Sequence, residues 1–173
     1  GRLSYRAGET VTLHVSTHSR RFDIVVERWG ATRVRRWEAT NVPGRFVEPP
    51  PDADSAGCRW PTTIEIPVGD DWQSGFHLVT LTAQGAPAGR DVAHACFVVR
   101  HRPDDRARAL LVLDTNTWHA YNTWGGRSLY TYNSRYQNTG SIVPATGTER
   151  AAKVSLDRPY NNWIGDYTWV LRT

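Results

Sequence analysis

The residues best equipped for chemistry crowd the second half of the chain. Six of the seven tyrosines lie between residues 121 and 167, in a stretch also dense in Asn, Gly and Trp. One run, Leu113-Asp114-Thr115-Asn116-Thr117-Trp118-His119-Ala120-Tyr121-Asn122-Thr123-Trp124-Gly125-Gly126-Arg127-Ser128-Leu129-Tyr130, sets a histidine and a tyrosine between two asparagines. His119 could act as a general base, or be a loop histidine bonded to backbone. Asn116 and Asn122 could orient ligands from behind, or cap turns. A phenol is normally neutral, with a pKa of about 10, and ligates a metal well only as phenolate. A hard trivalent cation can remove that proton because its charge dominates the local field, and phenolate oxygen is a hard donor that suits it. The alternative for each tyrosine is a half-buried ring with a hydrogen-bonded hydroxyl.

Other chemistries lack their signatures. Gly125-Gly126 gives a sharp turn without the GxxxxGK[ST] pattern of a phosphate loop. His14, His18, His77, His94 and His101 are spread at no ligand spacing, and no Ser-His-Asp set carries a supporting motif. The spacing of Cys58 and Cys96 is not that of a metal site. They either form one disulfide, which would mark an oxidising compartment, or stay as buried thiols, as Cys96 in Ala95-Cys96-Phe97-Val98-Val99 suggests. The second reading leaves the cytoplasm as the favoured compartment. The net charge of +4 is written with Arg and a single lysine, Lys153. Those arginines are scattered rather than striped, which reads as a solvated surface and excludes a nucleic-acid stripe. No apolar run approaches the roughly 20 residues of a membrane span.

The elements that would position these residues fall into two parts. From residue 9 to 100 short alternating runs predict strands at Thr10–Val15, Phe22–Arg28, Thr32–Trp37, Thr63–Ile66, Phe76–Thr82 and Ala95–Val99. Short strands punctuated by Gly, Pro and Asp predict a β-sandwich over 1–102, of the immunoglobulin-like kind. Pro49–Ser55 reads as an exposed loop stiffened by proline. A charged linker at His101–Arg106 precedes Ala109-Leu110-Leu111-Val112-Leu113, apolar at every position. That is the pattern of a strand covered on both faces. Residues 114–173 show no clear period and read as a long ordered loop, functional because of its length and ordered because of its aromatics. The expectation is a mainly β chain in which 103–173 opens a truncated α/β domain. The lack of Met and the apolar end Tyr167–Thr173 read as a piece of a longer protein.

The run from Leu113 to Tyr130 resembles the large (beta) subunit of the N,N-dimethylformamidase family, in its N-terminal portion. So do Gly8-Glu9-Thr10-Val11, Trp72-Gln73-Ser74-Gly75, Phe97-Val98-Val99-Arg100 and Val154-Ser155-Leu156-Asp157-Arg158-Pro159-Tyr160. The resemblance spans essentially the whole chain. It implies an amide hydrolase with a mononuclear Fe(III) held by two tyrosines and one glutamate, in a glutamine-amidotransferase-like domain. Tyr121 in Ala-Tyr-Asn matches the first tyrosine ligand and Tyr160 in Arg-Pro-Tyr the second. The third ligand is expected beyond Thr173, since Glu149 sits in no matching motif. Such an ion would act as a Lewis acid on an amide carbonyl and on bound water. The implied partners are the rest of the large subunit, a small subunit and a small amide substrate, with neither nucleic acid nor membrane. The alternative is a non-catalytic β-sandwich module that binds a carbohydrate or a protein through Trp29, Trp37 or Trp60.

Overall fold

The computed structural model describes residues 2–89, 91–104, 110, 112–131 and 150–160. The chain is mainly β. Its strands are β1 (Ser4–Tyr5), β2 (Thr10–Leu13), β3 (Arg21–Trp29), β4 (Val34–Pro43), β5 (Ile64–Pro67), β6 (Gly75–Ala83) and β7 (Val92–Val99). Among the described residues two short helices accompany them, α1 (Ala53–Ala56) and α2 (Thr115–Tyr121). Residues group into two compact units, one from within 1–47 and 61–110, the other from within 48–60 and 111–164.

The first unit holds a five-stranded sheet in the order β1-β7-β6-β3-β4 and a two-stranded sheet, β2-β5. The larger sheet is mixed, because β1 runs parallel to β7 while the other pairs are antiparallel. Alternation along β3 decides which side chains are buried: Phe22, Ile24 and Val26 point inward, between residues that are partly exposed. Register shifts against β4 then interrupt the pairing between Phe22 and Ile24 and between Val26 and Glu27. In the small sheet Val11 pairs with Ile66. Both join Phe22, Ile24, Val79 and Phe97 in one core, so the two sheets share a single apolar interior. His77 is fully buried in that unit, its ring centroid 5.3 Å from those of Trp72 and Phe97, which are themselves 6.3 Å apart. The edge strand β4 carries the exposed Arg35, the bridged pair Arg35–Glu38 and a terminal Pro43, features that discourage pairing with a further strand.

All six strands expected from the alternating runs exist, with β4 extending six residues past Trp37 to Pro43. Three expectations need correction. The segment Pro49–Ser55 is not an exposed loop throughout. Ala53 N donates to Pro50 O at 3.0 Å, Ala56 N donates to Asp52 O at 2.8 Å, and α1 forms with Ala53 fully buried. The apolar run at 109–113 shows no strand at Leu110, Val112 or Leu113, and Leu110 and Val112 are 88% and 78% exposed. A strand needs a neighbour to complete its backbone bonds, and none is supplied there among the described residues; Ala109 and Leu111 lie outside them. The stretch after Asp114 is not continuous loop, since α2 occupies Thr115–Tyr121. Glu149 and Tyr167–Thr173 lie outside the described residues.

In the second unit the described residues include a small cluster of Ala53, Cys58 and Trp124, with Trp60 edge-on to Trp124 at 5.7 Å. Backbone bonds tie its segments together. Cys58 N donates to Asp157 O at 2.7 Å, Ser155 N to Asp54 O at 2.8 Å, and Leu129 N to Ala120 O at 2.9 Å. Gly125 is required where these segments meet. Its φ is +88°, and an added Cβ would lie 2.8 Å from the backbone nitrogen of Asp54. Both cysteines are free thiols.

Candidate functional site

The site begins with a helix cap. The Asp114 carboxylate accepts from Thr117 N at 3.2 Å and from Thr117 Oγ1 at 2.6 Å, which satisfies one of the helix's orphan donors and starts α2. Those two bonds hold the Asp114 carboxyl below its usual range. The helix places His119 in its last turn, only 4% exposed. Asn122 ends it and links it to a distant segment. Asn122 Nδ2 donates to Pro159 O at 2.9 Å, while its Oδ1 accepts from Trp124 N at 3.1 Å.

Pro159 delivers Tyr160 to the helix. The Tyr160 hydroxyl lies 2.6 Å from His119 Nε2, with the two rings 4.8 Å apart and tilted by 37°. Trp118 meets the same tyrosine edge-on at 6.2 Å. Tyr121 belongs to a different pair, stacked on Tyr130 at 4.3 Å. Beneath Tyr130, the fully buried Ser128 hydroxyl donates to Tyr130 O and accepts from Tyr130 N, both at 3.1 Å.

Arg158 is the buried hub. It is 6% exposed, and its guanidinium donates to four backbone carbonyls: Ser155 O at 3.0 Å, Trp124 O at 2.7 Å, Arg127 O at 3.1 Å and His119 O at 3.0 Å. The fork of donors fits that task, which a lysine's point charge would not. Burial pulls its pKa down to about 10, with Asp54 acting in the opposite sense, so the group stays charged at neutral pH. Burial, and then the Arg158 charge, push His119 down to about 4. The imidazole is therefore neutral at physiological pH. Burial, followed by Asp157, pushes the Cys58 thiol up to about 12, which leaves it a packing group rather than a nucleophile.

Of the residues singled out in the sequence, His119, Asn122 and Tyr160 come together. Asn116 is exposed in the first turn of α2 and makes no side-chain hydrogen bond among the described residues. Tyr121 stands on the same helix with Tyr130 as its stacking partner. The expectation of a loop histidine bonded to backbone is corrected: His119 is helical, and its ring bonds to a tyrosine. Arg158 was passed over as one more arginine of a basic surface. Its place beside Pro159-Tyr160 was the only available signal. The tryptophans offered for a binding face are packed. Trp29 is 7% exposed beneath Arg33, Trp37 packs against the sheet core, and Trp60 packs against Trp124. Among the described residues no group of three or more His, Cys, Asp or Glu stands together to hold a metal ion; tyrosines, the expected ligands, are of another type. No helix among the described residues is long and apolar enough to cross a membrane.

No curated protein and no solved structure matches the chain. Residues 23–170 match a family described as N,N-dimethylformamidase beta subunit-like, C-terminal. That match runs from β3 through the last described residue, Tyr160, and takes in every residue of the His119–Arg158–Tyr160 arrangement. By that match the chain belongs to the N,N-dimethylformamidase beta subunit-like family.

Proposed function

We propose that this chain is part of an amide hydrolase of the dimethylformamidase type, which splits a small amide into an amine and a carboxylic acid. The observation that carries the reading is the family match over 23–170 joined to a built tyrosine site, in which Tyr160 is seated by His119 and by the Arg158 hub. The donor chemistry fits a hard trivalent iron, because Tyr160 and Tyr121 would supply phenol oxygens and a carboxylate from beyond Thr173 would complete the set. When bound, that ion would polarise an amide carbonyl and activate water.

The chain's own residues do the arranging. Arg158 fixes the backbone at His119, Trp124 and Arg127, so the helix end and the turn after it keep one geometry. Asn122 holds Pro159 and thereby the backbone leading into Tyr160. The neutral His119 ring meets the Tyr160 oxygen, and Trp118 walls one edge of the Tyr160 ring. Asn116, at the exposed start of α2, is proposed as an outer orienting group. The immunoglobulin-like sandwich and the amidotransferase-like α/β domain are part of the same proposal, as are the remaining large-subunit sequence and a small subunit as partners.

The test is hydrolysis of N,N-dimethylformamide and of simple formamides by the full-length protein after iron loading, with Tyr160→Phe beside it. Release of dimethylamine that falls by about 100-fold or more in the variant supports the reading, since losing even a group behind a metal ligand costs about 10- to 100-fold. Hydrolysis unchanged by Tyr160→Phe would remove Tyr160 from the site.

A further inference from the structure

We propose that His119 is a positioning residue: its Nε2–H donates to the Tyr160 phenol oxygen and holds that oxygen in place, with Nδ1 left as a bare lone pair. The inference rests on the proposed role of Tyr160, but the direction of the hydrogen bond is independent of any metal. Nε2 and the Tyr160 oxygen are 2.6 Å apart, so one of them donates. A neutral imidazole carries one proton on one of its two ring nitrogens. Nδ1 is buried and has no hydrogen-bond partner among the described residues. A proton there would be a buried N–H with no acceptor, which forfeits its hydration without any return. Orphaned buried N–H groups are rarer than under-satisfied acceptors. The proton therefore belongs on Nε2, and the tyrosine oxygen is the acceptor.

The same chain solves the problem the same way at a second site. His77 Nδ1 lies 3.1 Å from the Gly75 carbonyl, which can only accept, so Nδ1 holds the proton. Its Nε2 is buried without a partner among the described residues, again a bare lone pair. Both buried imidazoles spend their single N–H on an oxygen.

The surroundings of His119 are built to hold that geometry. Arg158 Nη2 donates to the His119 carbonyl at 3.0 Å, and Arg158 lies two residues before Tyr160 in the chain. Asn122 Nδ2 donates to Pro159 O at 2.9 Å from the other side. Donor and acceptor are thus tied to one another through backbone as well as through their rings. A consequence is that His119 cannot serve as the general base: the nitrogen at the tyrosine already carries its proton, and the other is sealed from solvent.

Two measurements test this. In the metal-free protein at neutral pH, long-range proton–nitrogen NMR of the imidazole, assigned with His119→Gln, is expected to report the Nε2–H tautomer. A Nδ1–H tautomer would overturn the proposal whatever the iron chemistry proves to be. In iron-loaded protein, His119→Phe removes the donor while His119→Gln keeps one. The phenolate-to-iron band should move to longer wavelength in the Phe variant, with kcat reduced about tenfold or more and KM little changed. The Gln variant should restore both. A band that stays put in the Phe variant would overturn the positioning role. Absence of any band in the parent protein would defeat the iron reading instead, and the tautomer would then decide the hydrogen bond alone.

Discussion

At the scale of single residues, function and stability here turn on buried polar groups with few choices of partner. His77 has no solvent exposure and packs against both Trp72 and Phe97; burial drops its pKa from about 6.5 to about 4. The denatured chain takes up a proton below pH 6.5, and the folded chain does not until near pH 4. Stability is therefore full above pH 6.5 and falls as pH drops toward 4, by on the order of 3 kcal/mol from this residue. Urea midpoints at pH 7 and pH 4.5 should differ less in His77→Phe than in the parent protein. An equal difference in the two proteins would contradict this account. At this scale the sequence offers candidates where a motif names the residue, as for Tyr121 and Tyr160, and is silent where only burial gives a residue its place. Arg158 shows the limit, because nothing in one arginine among 20 says that it will be buried on four carbonyls.

At the scale of elements, the strands of the first unit were legible because inward and outward residues alternate, as Phe22, Ile24 and Val26 do in β3. The partners of those strands were not legible. That β3 lies between β4 and β6, and that β1 joins β7 in parallel, depends on contacts far apart in sequence. The helix α2 was missed because its sequence, Thr-Asn-Thr-Trp-His-Ala-Tyr, has no aliphatic period to reveal it. Its signal was Asp114 three residues before Thr117, a cap readable only in hindsight. Since that cap supplies both a backbone and a hydroxyl bond, Asp114→Ala should lower the melting temperature and fray the first turn, while Asp114→Asn should lower it less. Thermal unfolding of the two variants checks the order, and equal stability of Asp114→Ala and the parent would remove the cap from the account.

At the scale of the whole molecule, two units of different construction share one chain. In the first, β6 has ladders on both sides and a common apolar core beneath it. In the second, among the described residues, Arg158 gathers backbone carbonyls beside a small aromatic cluster. Amide exchange should follow that contrast. The slowest amides are expected in β3 and β6, and Arg158→Met should speed exchange around residues 119–127 and 155–158 while leaving β6 unchanged. Uniform acceleration in both units would contradict it. The family was legible across the chain because it rests on short runs of residues, such as Asp157-Arg158-Pro159-Tyr160, that survive without knowledge of the fold. The division of the second unit was not, because 48–60 reaches it through contacts with residues far along the chain, near 124 and near 155. The most direct test of the central claim is the visible absorption spectrum of the iron-loaded full-length protein beside Tyr121→Phe and Tyr160→Phe. The account predicts a phenolate-to-iron band that weakens in each variant; a protein that stays colourless after iron loading, or a band that neither substitution alters, would contradict it.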